Sequence, residues 1–183
     1  MAGDARPFET ALTLILADQA PELAEAHDEL YPERIAEHIP LSLTLLYPFA
    51  PVSELSEAHL ERARTFFASR PPLVFDLKRL AQWEESGAVY AVPEPDDDLR
   101  ATMRGLWRLF PEFPPYRVPN SDPPPHASLT LNDRGDRIAL RERAERRLAG
   151  LLPAHFELTE VALMEEYALD RMRVTHTFPL AGD

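Results

Sequence analysis

A four-residue segment, Ser-Leu-Thr-Leu, occurs twice in the chain, and histidines lie near both copies. Alternate residues of a strand share a face, so Ser42 and Thr44 point together, as do His126, Ser128 and Thr130. Histidine titrates near neutrality and transfers protons, while a hydroxyl donates a hydrogen bond to a phosphoryl oxygen. Two such faces brought together would provide metal-independent, in-line phosphodiester chemistry.

The first copy lacks a histidine at the position that matches His126. The residue two before Thr44 is Ser42, and His38 lies four residues further back. At about 3.3 Å per residue, His38 would stand about 13 Å from Ser42 along a straight strand, and Pro40 interrupts such a strand. One half of an acid-base pair is therefore missing from this copy.

The second copy has a histidine in this position. His126 stands two residues before Ser128, so the two side chains share a face of the strand. His126 is therefore the candidate proton-transfer residue.

Other residues are weaker candidates for the same site. Tyr116 follows a double proline and is predicted to stack a base at the mouth of a groove. Arg173 on the last strand would bind phosphate or pair with a neighbouring glutamate, and His176 would face either the core or the groove. His27 and His59 lie among charged residues of predicted helices and are expected to be solvated.

Composition limits the possible partners. The chain has 183 residues, no cysteine and a net charge of −12, which argues against a broad surface that follows a long nucleic acid. No apolar run approaches the ~20 residues that cross a bilayer, and the first residues contain no secretion signal, so we expect a cytoplasmic protein. The acidic triplet at residues 96–98 suits a helix N-terminus, and neither a metal nor a cofactor is predicted.

The order of predicted elements repeats. Each half contains a helix, a Ser-Leu-Thr-Leu strand, a helix and a strand pair. The sequence therefore predicts a single α+β domain over residues 1–183, built from mainly antiparallel sheets, with lobes at roughly 1–95 and 96–183. A pseudo-twofold relation between the lobes would place the two repeated strands side by side at a central groove flanked by helices.

Several stretches together resemble the two-histidine (2H) phosphoesterase superfamily, specifically the 2'-5' RNA ligase-like proteins. They include "IPLSLTLLYPFAP", "PHASLTLND" and "VALMEEY…MRVTHTFPL", and the similarity extends from about Leu12 to Leu180. The resemblance implies a His-x-Thr or His-x-Ser motif in each lobe, with two histidines as general acid and base, so Ser42 stands where the first histidine is expected. For the second motif it allows two registers: either His126-Ala127-Ser128 is the His-x-Ser motif, or Ser128 takes the histidine position and Thr130 the hydroxyl position. Because the registers differ by two residues, His126 faces the same side of the strand in both.

The resemblance further implies a substrate and leaves two functions open. The expected ligand is a small nucleotide or an RNA-end phosphodiester, bound at a site made of His126, Ser128, Thr130, Ser42 and Thr44. One alternative is a phosphodiesterase or ligase-like enzyme weakened by the altered first motif. The other is a catalytically inactive module that senses a nucleotide or docks a protein. The oligomeric state is left open.

Overall fold

The computed structural model describes residues 6–131 and 135–181, and two four-stranded sheets lie at its centre. The strands are β1 (Thr10–Ile15), β2 (Ser42–Leu46), β3 (Leu73–Gln82), β4 (Val89–Glu94), β5 (Ala127–Ser128), β6 (Ala154–Leu158), β7 (Glu160–Ala168) and β8 (Arg171–Pro179). The helices are α1 (Pro21–Leu30), α2 (Glu33–Glu37), α3 (Glu57–Ala68), α4 (Asp97–Leu109) and α5 (Arg137–Leu148), with a 3-10 turn at Pro115–Arg117. The predicted α+β class is confirmed.

Every paired strand is antiparallel to its neighbour, and the sheet orders are β2-β1-β7-β8 and β5-β4-β3-β6. The repeated strands β2 and β5 are therefore edge strands of different sheets. They lie side by side, with Cα atoms within 8 Å of one another. This confirms the predicted juxtaposition of the two Ser-Leu-Thr-Leu segments.

The sheets do not divide near residue 95, where the sequence placed the lobe boundary. The first sheet combines the first two strands of the chain with the last two, and the second sheet contains β3 to β6. Long-range pairing explains this order, since Phe75 of β3 lies opposite Phe156 of β6. One hydrophobic core joins both sheets, with Leu12 and Leu43 from the first and Phe75 and Ala91 from the second.

Local sequence rules account for where several helices begin and end. Pro32 separates α1 from α2, as its missing N–H and fixed ring predict. Ser56 caps α3 by accepting from the His59 backbone N–H, and Nδ1 of His59 accepts from the Ser56 backbone N–H. His59 also packs edge-on against Phe113, with ring centroids 5.5 Å apart. His59 is therefore half-buried, only partly in contact with solvent.

Among the helices of the described residues, none is long and apolar enough to span a membrane.

Candidate active site

A cavity of about 430 Å³ lies where the edge strands of the two sheets meet. Strand β2 contributes Ser42 and Thr44, because these alternate with the fully buried Leu43 and Leu45. The same face of the first sheet supplies an apolar floor from neighbouring strands, made of Ala11, Met164 and Met172. Hydroxyl groups therefore stand over an apolar surface at one wall.

The opposite wall comes from β5 and the residue before it, and both His126 and Ser128 line the cavity. Strand β5 is only two residues long, and the chain then turns inward. As a result, Thr130 is 2% exposed, and its hydroxyl accepts a 2.9 Å hydrogen bond from the Val89 N–H. Thr130 does not reach the cavity, contrary to the prediction that it joins the site. The residues facing the cavity correspond to the His126-x-Ser128 register.

The tautomer of His126 follows from its hydrogen bond. Nδ1 lies 2.8 Å from the Pro124 carbonyl oxygen, which can only accept, so Nδ1 carries the hydrogen. Nε2 then holds the lone pair and has no hydrogen-bond partner among the described residues. Burial lowers the pKa of His126 below its ordinary value. The imidazole is therefore neutral at neutral pH, with Nε2 available as a base.

Two aromatic rings hold the His126 imidazole in place. Trp83 and Tyr90 stack on each other with ring centroids 4.4 Å apart, and His126 stands edge-on to both, at 5.2 Å and 5.6 Å. Tyr90 also lies opposite Ser128 in the pairing of β4 with β5. The second wall is thus built from His126 and Ser128 packed against a pair of stacked aromatic rings.

His27 is a second histidine at this cavity, and the expectation that it is solvated was wrong. It is 2% exposed and lines the cavity from α1. Nδ1 lies 3.0 Å from the Asp28 carboxylate, which accepts its hydrogen, so Nε2 again holds the lone pair. The helical spacing of Leu23, His27 and Leu30 was the available signal, because it puts His27 on the buried face.

Two guanidinium groups of the described residues line the cavity, and carboxylates bind both. Arg6 makes two 2.7 Å hydrogen bonds to the buried Glu166 and one of 2.6 Å to Asp170. Arg34 bonds to Glu37 at 3.1 Å and lies over the Tyr31 ring, 4.7 Å from its centroid.

The carboxylates outnumber these cations. Burial alone would raise the pKa of Glu166, but hydrogen bonds from Arg6 and the Asp170 N–H lower it overall, so Glu166 is ionised at neutral pH. Among the described residues, the cavity is lined by three carboxylates, from Glu37, Glu166 and Asp170, and by two guanidinium groups. The summed formal charge of these groups is therefore slightly negative when His27 and His126 are neutral.

Two tyrosines lie at the mouth of the cavity. Tyr116 is 45% exposed, as expected for a residue that could stack a base, and its N–H donates a 2.7 Å hydrogen bond to the Tyr47 carbonyl. Tyr116 and Arg117 both adopt left-handed backbone conformations, with φ of 53° and 59°. Tyr47 is also a lining residue and is 38% exposed.

Two predicted substrate-binding residues lie elsewhere in the described structure. Arg173 is exposed on β8, where its guanidinium stands over the Tyr167 ring at 5.5 Å from the centroid. His176 is half-buried on the same strand, and its Nδ1 lies 3.2 Å from the Thr175 hydroxyl. Neither residue lines the cavity, so the structure does not bring them to the site.

The chain belongs to the 2'-5' RNA ligase superfamily, whose family model matches residues 13–169. Its fold is that of the two-histidine phosphoesterases, and solved structures resemble it over almost its entire length. TT0787 of Thermus thermophilus has 18% identity and a TM-score of 0.61, covering 96% of this chain and 99% of that one.

Two further structures show the same fold. A structure described as a phosphoesterase has 21% identity and a TM-score of 0.60, covering 97% of this chain and 100% of that one. Escherichia coli LigT complexed with 3'-AMP has 17% identity and a TM-score of 0.56, with the same coverage. No curated protein matches the sequence.

Proposed function

We propose that this protein acts on the phosphodiester of a small nucleotide or an RNA end. The observation that carries the proposal is the convergence of His126, Ser128, Ser42 and Thr44 on one cavity between the two sheets. In this proposal, His126 transfers a proton through Nε2, and the three hydroxyls donate hydrogen bonds to the phosphate. The LigT complex with 3'-AMP supports a nucleotide ligand for this fold.

The charges in the cavity favour a diester over a monoester. Each guanidinium is already held by a carboxylate, so neutral hydroxyls are the main donors for a phosphate. A diester carries one negative charge, whereas a monoester carries nearly two at neutral pH, and nearby carboxylates repel the second charge more strongly. Hydrolysis of a cyclic phosphate to a monoester would therefore weaken binding and help the product to leave.

Ser42 is the observation that favours a second candidate function. A serine hydroxyl donates a hydrogen bond but does not serve as a proton-transfer group at neutral pH, so a site with His126 alone would bind a phosphodiester without turning it over efficiently. The second candidate is therefore a nucleotide-binding module of the same fold. Turnover distinguishes it from the enzyme.

The test measures binding and turnover of 2',3'-cyclic nucleotides and short 2'-5' linked oligonucleotides without added metal. Ser128→Asp puts a carboxylate on the cavity wall and should weaken binding by at least about tenfold through charge repulsion. Ser53→Asp is the matched control, because Ser53 is exposed and does not line the cavity. Binding without turnover would favour the module. If neither binding nor turnover occurs with any of these ligands, both candidate functions are wrong.

The Arg34–Glu37 pair yields a separate prediction. Glu37→Gln should strengthen the binding of a nucleoside 3'-monophosphate by roughly fivefold at low salt, because it removes a repelling charge and frees Arg34 to bind phosphate. Isothermal titration calorimetry at two salt concentrations measures the effect, which should shrink as salt is added. Glu33→Gln on the exposed start of α2 is the control. Equal affinities for wild type and Glu37→Gln would contradict the proposed phosphate position.

A further inference from the structure

The cavity holds a second imidazole that belongs to neither repeated strand. Ser42 pairs with Ile15 at the end of β1, and the chain enters α1 a few residues later. Helix α1 then carries His27 to the cavity lining, where its side chain is almost completely buried. The end of β1 lies next to Ser42, and α1, the element that follows β1, brings His27 to the same cavity.

His27 has the hydrogen-bonding arrangement of a positioned acid-base group. The Asp28 carboxylate binds Nδ1 and fixes the ring, so Nε2 is the ring atom that remains to exchange a proton with a ligand. The two histidines differ in the partner that their Nδ1 binds. For His27 it is the anionic Asp28 carboxylate, and for His126 it is the neutral Pro124 carbonyl. A carboxylate stabilises a protonated imidazole more than a carbonyl does.

We infer that His27 is the second proton-transfer group of this cavity and performs the acid-base role that Ser42 cannot. The inference rests on the proposed function and adds a catalytic residue to it. His27 is the general acid, His126 is the general base, and Asp28 is a positioning residue.

The reaction balances with water as the only co-reactant. Nε2 of His126 takes a proton from water as the water oxygen forms a bond to phosphorus. Protonated His27 gives its Nε2 proton to the ribose oxygen as the bond between that oxygen and phosphorus breaks. A 2',3'-cyclic phosphate thereby becomes a phosphomonoester and a free ribose hydroxyl, and proton exchange with solvent restores both imidazoles.

His27→Asn is the variant that tests the inference. Asparagine retains an N–H donor near the position of Nδ1 and can still bond to Asp28, but it lacks Nε2. We expect the turnover of 2',3'-cyclic nucleotides to fall by about 10²- to 10⁴-fold. His155→Asn on β6 is the matched control, since that histidine is exposed and does not line the cavity.

The leaving group separates a catalytic role from a structural one. A nucleoside p-nitrophenyl phosphodiester releases p-nitrophenolate, which needs little help from a general acid. His27→Asn should therefore retain most of the wild-type rate on this substrate, whereas His126→Asn should lose activity on both substrates. Equal losses on both substrates in His27→Asn would mean that the variant is misfolded or that His27 is not the acid, and would overturn the assignment.

A rescue experiment provides a second readout. Adding Ser42→His to His27→Asn should restore at least about tenfold of the lost turnover, because the new imidazole would face the same cavity. Because Ser42→His also removes a phosphate-binding hydroxyl, the double variant is compared with His27→Asn at saturating substrate. A double variant no faster than His27→Asn would contradict the assigned role of His27.

The pH profile provides a third readout. Burial lowers the pKa of both His27 and His126, so the state with one protonated and one neutral imidazole is most populated on the acid side of neutrality. The rate should follow a bell-shaped curve with its maximum below about pH 6.5. The charged groups that face these rings are those bonded to them or lining the cavity: Asp28, Arg34, Glu37, Arg6, Glu166 and Asp170. Asp28→Asn removes the carboxylate that stabilises protonated His27 and so lowers the pKa of His27 further. The alkaline limb of the pH profile should therefore move to lower pH.

The failures of the two proposals are distinguishable. If wild type turns over cyclic phosphates, His126→Asn is inactive and His27→Asn has wild-type activity, then His27 has no catalytic role and the proposed function stands. If wild type shows no turnover, both the acid-base assignment and the enzymatic function are wrong.

Discussion

Replacing His126 with asparagine should reduce kcat for 2',3'-cyclic nucleotides by about 10²- to 10⁴-fold, because the variant loses the Nε2 that faces the cavity from the start of β5. In the wild type the Pro124 carbonyl accepts from Nδ1 of His126, and the asparagine amide can still donate to this carbonyl. The local conformation before β5 should therefore persist. Steady-state kinetics with a melting curve measure both effects.

The loss should appear mainly in kcat. Ser42, Thr44 and Ser128 remain in place to hold the phosphate, so KM should change by only a few-fold. His155→Asn again serves as the control for a histidine replaced outside the cavity. A His126→Asn variant with wild-type kcat and an unchanged melting curve would show that His126 is not the base.

Replacing Phe49 with alanine should lower the free energy of unfolding by about 3–5 kcal/mol. Phe49 is 2% exposed and lies edge-on to Phe110 and Phe113, with ring centroids 4.8 Å and 5.4 Å away. The missing ring would leave a void lined by these aromatic side chains. Chemical denaturation of wild type and variant under the same conditions measures the difference.

The same substitution should also disturb the cavity mouth. The Phe49 ring packs against Phe110 and Phe113 and thereby supports the chain as it leaves β2, two residues after Tyr47. Nucleotide affinity should fall together with stability. Phe8→Ala is the matched control. Phe8 is 39% exposed, so its replacement should lower the free energy of unfolding far less. Similar losses for the two variants would mean that the Phe49 cluster does not support the core.

The parts of the site that were predictable from sequence are those governed by local alternation. Ser42, Thr44, His126 and Ser128 face the cavity because side chains of a strand alternate between two faces, a rule that needs no tertiary information. Thr130 follows the same rule only if the strand continues. It does not, because β5 ends at Ser128 and the Thr130 hydroxyl turns to the Val89 N–H, a pairing between distant parts of the chain.

His27 and the division between the sheets depended on tertiary packing. The charged neighbours of His27 suggested a solvated helix face, but α1 packs that turn against the cavity, so the spacing of Leu23 and Leu30 was the better guide. The internal repeat suggested one lobe in each half of the chain. The pairing of β3 with β6 instead groups strands from both halves, and no local pattern specifies that partner.

The strand order has a consequence for how the molecule forms during synthesis. β1 lies between β2 and β7, so one edge of β1 stays open until the end of the chain supplies β7. The cavity floor at Met164 and Met172 and the buried Glu166 arrive with the same two strands. A nascent chain that stops before β7 therefore has no complete cavity, and its exposed β1 edge is open to incorrect pairing. A complete cavity lining therefore requires that the chain has been made through β8.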